Sequence, residues 1–143
     1  MKIYFAASIR GGRDDVLIYS ELIKLLQKYG TVLTEHVADK NLNDFGESSL
    51  DDEKIHDRDM NWLLESDIVI AEVTNPSLGV GYEVGRAIEN DKKVVCLYKV
   101  KENKKISAMI LGSNKIKSFN YRNLHELENF LNKIFQSLTK KPS

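Results

Sequence analysis

The sequence is poor in several features that mark large functional classes. It has one cysteine, Cys96, in 143 residues. That sparing use points to a reducing compartment, most simply the cytoplasm, or in a eukaryote also the nucleus. Cys96 lies inside the apolar run VVCLY, the usual place of a small buried side chain. Neither sign of charge is in excess, since 21 Lys plus Arg balance 21 Asp plus Glu. This leaves no electrostatic footprint for nucleic acid or an anionic membrane. Long hydrophobic runs are missing: MKIYFAAS is apolar only briefly before Arg10, which reads as neither a signal peptide nor a membrane span. The histidines, His36, His56 and His125, share no ligand-like spacing with one another or with Cys96, so no metal site is expected.

What is present is an alternation of two periodicities. Apolar runs bounded by turn residues occur at KIYFAAS, TVLTE, DIVIAEV, KVVCLY and, more weakly, IKSFNY. Between them apolar residues recur at helical spacing: Val16, Leu17, Ser20, Ile23 and Leu26, then Ile55, Trp62 and Leu63, then Val80, Val84 and Ile88. Continuous apolar strands separated by helices predict a doubly wound α/β domain, a parallel sheet of about five strands with helices on both faces. One such domain is expected over 1–138, with a frayed tail at 139–143. The polar, acidic segment Asp39 to Asp52 reads as a loop.

In a sheet of this kind ligands bind outside the carboxyl ends of the strands, where helix N-termini present free amides. The segments after the first and third strands are SIRGGRDD and TNPSLGVGYE. Ser8, Ile9, Arg10, Gly11, Gly12 and Arg13 combine a hydroxyl, two guanidinium groups and adjacent glycines, which suits a phosphate. A Gly-Gly turn with two surface arginines has the same composition. The glycines at 79, 81 and 85 are too widely spaced for a dinucleotide fingerprint and follow the wrong strand, so a Rossmann cofactor is disfavoured.

Two carboxylates stand out. A helix starting near Val80 places Glu83 in its first turn, where the dipole favours the ionised form by about 0.3–1 kcal/mol. Taken alone this is an ordinary acid at a helix start, yet an ionised carboxylate beside a glycine-lined crevice is also what a nucleophile needs. Asp59 lies four residues after Ile55 and four before Leu63, inside the apolar arc of its helix. An inward carboxylate is costly unless it is paired or borders a cavity. Two converging carboxylates, one ionised and one kept protonated, are the usual equipment for cleaving a glycosidic bond. Tyr4, in the first strand, can donate a hydrogen bond to whichever carboxylate sits over the sheet, or simply pack there.

The segments YFAASIRGGRDD, GTVLTEHVA, IHDRDMNWLLESDIVIAEVTNPSLGVGYEVGRA and ISAMILG, in that order, resemble the 2′-deoxynucleoside 5′-phosphate N-hydrolases, relatives of the nucleoside 2-deoxyribosyltransferases. The resemblance runs from Lys2 to about Gly112. It implies hydrolysis of a deoxynucleoside monophosphate to free base and 2-deoxyribose 5-phosphate, without a cofactor. By the same resemblance Glu83 is the nucleophile and Tyr4 positions it. Asp59 is the second carboxylate, protonating the departing base or holding the sugar. By analogy with retaining glycosidases the two carboxyls should lie about 5–5.5 Å apart. Ser8, Ile9, Arg10 and Gly11 match contacts of the first loop, and Ser77 and Gly79 match phosphate and sugar contacts of the second, with Gly81 beside them. Ser107, followed by Met109 in ISAMI, matches a serine that reaches the phosphate of a neighbouring subunit, which implies a homodimer. His36, in TEHVA, lines the base pocket or plays a structural part. Ala6-Ala7 stands where the family commonly has Cys-Gly, so a contact needing glycine torsions at position 7 does not carry over. A base-exchanging transferase and a non-catalytic nucleotide-binding module are the alternatives, and the base preferred is not fixed.

Overall fold

A computed structural model describes residues 1–9, 13–35, 51–101 and 105–139. Five strands, β1 (Lys2–Ala7), β2 (Thr31–Leu33), β3 (Ile68–Glu72), β4 (Lys93–Tyr98) and β5 (Ile116–Asn120), form one parallel sheet in the order β2-β1-β3-β4-β5. All five fall within the apolar runs picked out above. The helices are α1 (Arg13–Gln27), α2 (Asp52–Glu65), α3 (Leu78–Glu89), the short α4 (Ala108–Leu111) and α5 (Leu124–Thr139). No helix among the described residues is long and apolar enough to cross a membrane.

The strands are apolar on both faces because both faces are covered. Ile3, Phe5, Ile68, Ile70, Val95 and Leu97 pack with Tyr19, Leu22 and Leu26 of α1 and Leu127, Leu131 and Phe135 of α5. The alternate residues Tyr4, Ala6, Val69, Ala71, Val94 and Cys96 pack with Met60 and Leu63 of α2 and Val80, Val84 and Ala87 of α3. This is the period of two expected of a strand.

Two boundaries differ from expectation. The buried stripe of α1 is Tyr19, Leu22, Ile23 and Leu26, whereas Val16 and Leu17 are exposed. The i, i+3, i+4, i+7 set from Tyr19 faces the sheet; Leu17 lies on the opposite arc, and Val16, in the first turn, sits at the edge of the stripe. Asp51 and Asp52 belong to α2 rather than to the preceding loop: the Asp51 side chain accepts from the Lys54 amide at 2.9 Å and caps the helix. Most of the segment read as a loop lies outside the described residues.

The strand order sets the site. The chain goes from β1 to β2 on one side, then crosses to β3 on the other, so the direction of winding reverses between β1 and β3. The crevice at their carboxyl ends is the switch point at which such sheets bind ligands. Register places Ala7 opposite Glu72 there.

Candidate active site

Three elements bring one residue each to the α2/α3 side of that crevice. Tyr4 of β1, Asp59 of α2 and Glu83 of α3 are all buried. The Tyr4 hydroxyl donates to Glu83 Oε2 in a short hydrogen bond. Asp59 Oδ1 accepts from Arg58 Nε at 3.0 Å, which answers the cost of an inward carboxylate with a charged partner.

Glu83 sits deeper in its helix than its spacing suggests. Ser77 caps α3, its side chain accepting from the Val80 amide at 3.2 Å, so the helix begins at Leu78 and Glu83 falls in the second turn. The dipole effect fades beyond the first turn. Burial instead governs the group: it pushes the Glu83 carboxyl up to about 7, the Tyr4 hydrogen bond pulls it back, and the Asp59 charge adds to the rise. The simple expectation of a fully ionised acid is thereby replaced by one poised near neutrality. Burial, then the neighbouring Glu83 charge, push the Tyr4 phenol well above its ordinary value, so Tyr4 is the donor in the pair.

The glycines read as a loop are in α3. Gly79 and Glu83, four apart, share one helix face, while Gly81 and Gly85 share the opposite one. A Cβ at Gly81 or Gly85 would meet nothing within 4 Å, and at Gly79 only Ser77 Oγ at 3.9 Å. Glycine inside a helix is unfavourable by about 1 kcal/mol relative to alanine, and packing among the described residues does not call for it here. Gly81 and Gly85 line open space next to α3 among the described residues.

The remaining predicted residues divide. Ser8 is buried just past the end of β1, and Ile9 beside it is exposed. Arg10, Gly11, Gly12, the side chain of Arg13, and His36 lie outside the described residues. Ala7 is ordinary strand backbone: no described non-glycine residue other than Asp91 has positive φ. Ser77, Gly81, Ser107 and Met109 line a separate groove of about 1020 Å³ between α3 and α4, floored by Val73, Val84, Ile88 and Ile116. Glu83, Asp59 and Tyr4 do not line it. Ser107 caps α4, accepting from the Met109 amide at 3.2 Å.

Several site-shaping residues escaped the sequence reading. Arg58, with Glu35 beyond it, surrounds Asp59. On the other face of the sheet the buried Glu72 accepts from the Thr74 amide at 2.7 Å and from the Tyr121 hydroxyl. Asn75 donates to Asp15 at 3.0 Å and to Tyr19 at 3.2 Å. Together these pin the segment that ends in Ser77. The signal for Glu72 was its place, a carboxylate inside the apolar run DIVIAEV.

Residues 3–129 match the family model described as nucleoside 2-deoxyribosyltransferase. The 5-hydroxymethyl-dUMP N-hydrolase of Danio rerio is 51% identical over 142 residues, covering 98% of this chain and 99% of that protein. The Homo sapiens protein of the same name is 42% identical over 139 residues, covering 94% and 79%. Among solved structures, a 2-deoxyribosyltransferase from Bacillus psychrosaccharolyticus shares the fold, with a TM-score of 0.70 over 100% of this chain and 99% of that one at 19% identity. With a match of this extent, and relatives this similar over nearly its whole length, the chain belongs to the nucleoside 2-deoxyribosyltransferase family.

Proposed function

We propose that this protein hydrolyses the N-glycosidic bond of 2′-deoxynucleoside 5′-monophosphates, releasing the free base and 2-deoxyribose 5-phosphate. The observation that carries the reading is the buried Tyr4–Glu83 pair beside Asp59 at the switch point. A carboxylate held by a phenol and kept from water is poised to attack an electrophilic carbon. Glu83 Oε attacks the anomeric carbon as the bond to the base nitrogen breaks. The bonding electrons leave with the base, which takes up a proton from Asp59 or, where Asp59 instead holds the sugar, from solvent. Water then cleaves the glycosyl ester, its hydroxyl adding to the anomeric carbon and its proton restoring the carboxyl balance. No 2′-hydroxyl withdraws electrons from the sugar, so positive charge develops there readily and the step needs no metal.

Arg10 and Arg13, by their charge, and Ser8 and Ser77, by position, are the groups for the 5′-phosphate. The names of the relatives put 5-hydroxymethyl-dUMP at the head of the substrates to try. The active form is a homodimer in which Ser107 completes the neighbouring site. In support, Ser107 lies on the groove and away from Glu83 of its own chain, and the rim residues Leu78 and Met109 are 96% and 83% exposed. Apolar side chains exposed together on the rim of a groove supply surface that a second copy would bury. The single buried thiol and a nucleotide substrate suit a cytoplasmic location.

The test is incubation with each deoxynucleoside monophosphate and with the matching deoxynucleoside, with and without an acceptor base. Free base from the monophosphate alone is the expected result. Product formed only when an acceptor base is added would make the protein a transferase, and no turnover of any nucleotide would make it a binding module.

A further inference from the structure

Arg58 precedes Asp59 on α2, and consecutive helix residues point about 100° apart. The 3.0 Å contact between Arg58 Nε and Asp59 Oδ1 therefore requires the arginine to curl back across its own helix. Further contacts among the described residues hold it in that shape. Its guanidinium carbon lies 4.8 Å from the centre of the Trp62 ring, one turn along the helix. Its terminal nitrogen lies 3.9 Å from Glu35 Oε2, just beyond β2. The side chains of Arg58, Asp59 and Glu35 are 17%, 8% and 14% exposed, so this is a shielded arrangement rather than a surface pair screened by water.

We infer that Arg58 is a positioning residue for Asp59. Its guanidinium, beside the Trp62 face and Glu35 at the end of β2, holds the Asp59 carboxyl in place on the side of the sheet that also carries Tyr4 and Glu83. The planar fork of an arginine can meet two carboxyls and an aromatic face at once, whereas a lysine ammonium is a point charge on a flexible stem. Arg58 also ties α2 to the strand end next to β1, so the distance from Asp59 to the substrate is set from the sheet as well as from the helix.

The inference rests on the reading of Asp59 as a carboxylate of the hydrolase. Its test measures release of base from 5-hydroxymethyl-dUMP by wild type, Arg58→Gln, Arg58→Lys, Asp59→Asn and the double variant Arg58→Gln/Asp59→Asn. A displaced catalytic group acts mainly on the chemical step, so Arg58→Gln should lower kcat by about 10- to 100-fold with KM changed by less than about threefold. Arg58→Lys should recover part of the loss, and carries the test if the glutamine variant does not fold. In the Asp59→Asn background the Arg58 change should add little, because its effect passes through Asp59. Wild-type kcat in Arg58→Gln, or an equal loss with and without Asp59, would overturn the inference. Absence of base release by the wild type from every deoxynucleoside monophosphate would instead overturn the proposed activity. Ligand-free crystal structures of wild type and Arg58→Gln then decide on Arg58 alone: a reoriented Asp59 carboxyl supports its role, an unmoved one refutes it.

Discussion

Tyr4 and Glu83, 79 residues apart in sequence, meet through a buried hydrogen bond from the phenol to Oε2. The contact joins the first strand to the helix that follows the third, across the point where winding reverses. Its consequence is electrostatic. Burial raises the Glu83 carboxyl to about 7, and Tyr4 is the group that lowers it. A neighbour of Tyr4 in the strand, Phe5, points to the opposite face of the sheet, so only the alternate register places a hydroxyl over α3.

The first prediction follows from that sign. Nucleophilic attack needs the ionised carboxylate, so kcat/KM should rise with pH through an acid limb near 7, the value at which Glu83 gives up its proton. Tyr4→Phe removes the hydrogen bond that lowers Glu83, so the limb should move to higher pH, with activity partly recovered in alkali. The pH profiles of the two proteins on one deoxynucleoside monophosphate provide the check. A limb that stays in place or moves to lower pH in Tyr4→Phe would contradict the role given to the pair. Glu83→Ala should lose activity by orders of magnitude at every pH.

The same shift makes a stability statement. The folded carboxyl titrates near 7 against an ordinary 4.5, so the folded state holds a proton that the unfolded state gives up. Stability from this group is fully present below pH 4.5 and is lost as pH rises through 7. The difference amounts to about 3 kcal/mol. Glu83→Gln keeps the shape without the charge, so its stability relative to wild type should grow between pH 5 and pH 8, as inactivity is exchanged for stability. Urea denaturation of both proteins at the two pH values measures this. A difference that does not change with pH would count against a buried, poised Glu83.

Much of the architecture was legible because the two periodicities are clean. Ile3, Ile68, Ile70 and Leu97 sit in unbroken apolar runs, which only a sheet covered on both faces accommodates. The carboxylates Asp59 and Glu83 could be singled out by position on their helices. What could not be read were relationships that depend on side-chain direction between distant elements. The curl of Arg58 back to Asp59 breaks the rule that adjacent helix residues face apart. The Asn75 contact with Asp15 spans 60 residues and joins the segment between β3 and α3 to α1, two stretches with no shared pattern. The start of α3 was misplaced because three glycines argue against a helix by propensity, while the Ser77 cap and the core contacts of Val80, Val84 and Ala87 outweigh it.

The groove between α3 and α4 yields a prediction about assembly. Leu78→Asp puts a charge on its exposed rim without touching Tyr4, Asp59 or Glu83. If a second copy seats there, light scattering should show the dimer shifting to monomer, and hydrolysis should fall in parallel as the protein is diluted. Ser107→Ala should leave the dimer intact and raise KM for the monophosphate far more than for the unphosphorylated deoxynucleoside. An unchanged mass for Leu78→Asp would place the interface elsewhere. Equal effects of Ser107→Ala on both substrates would remove it from the phosphate.

Glu72 gives the last prediction, because it is as buried as Asp59 and Glu83 and takes no part in the proposed chemistry. One oxygen accepts from the Thr74 amide at 2.7 Å, the other from the Tyr121 hydroxyl, itself buried. Thr74 Oγ1 in turn accepts from the Lys99 amide at 3.0 Å, so the chain leaving β3 is tied to β4 and to the end of β5. That chain runs on through Asn75 to Ser77, the cap of the helix carrying Glu83. Tyr121→Phe keeps the ring in the core but strands one carboxyl oxygen, which should destabilise the protein by about 1–3 kcal/mol. Because the tie acts on the segment before Ser77, KM for the monophosphate should rise while the acid limb near 7 set by Tyr4 and Glu83 stays where it is. Urea midpoints and a pH profile of Tyr121→Phe separate the two effects. A shifted acid limb would mean that Glu72 and Tyr121 act on the Glu83 carboxyl itself rather than on the segment that leads to its helix.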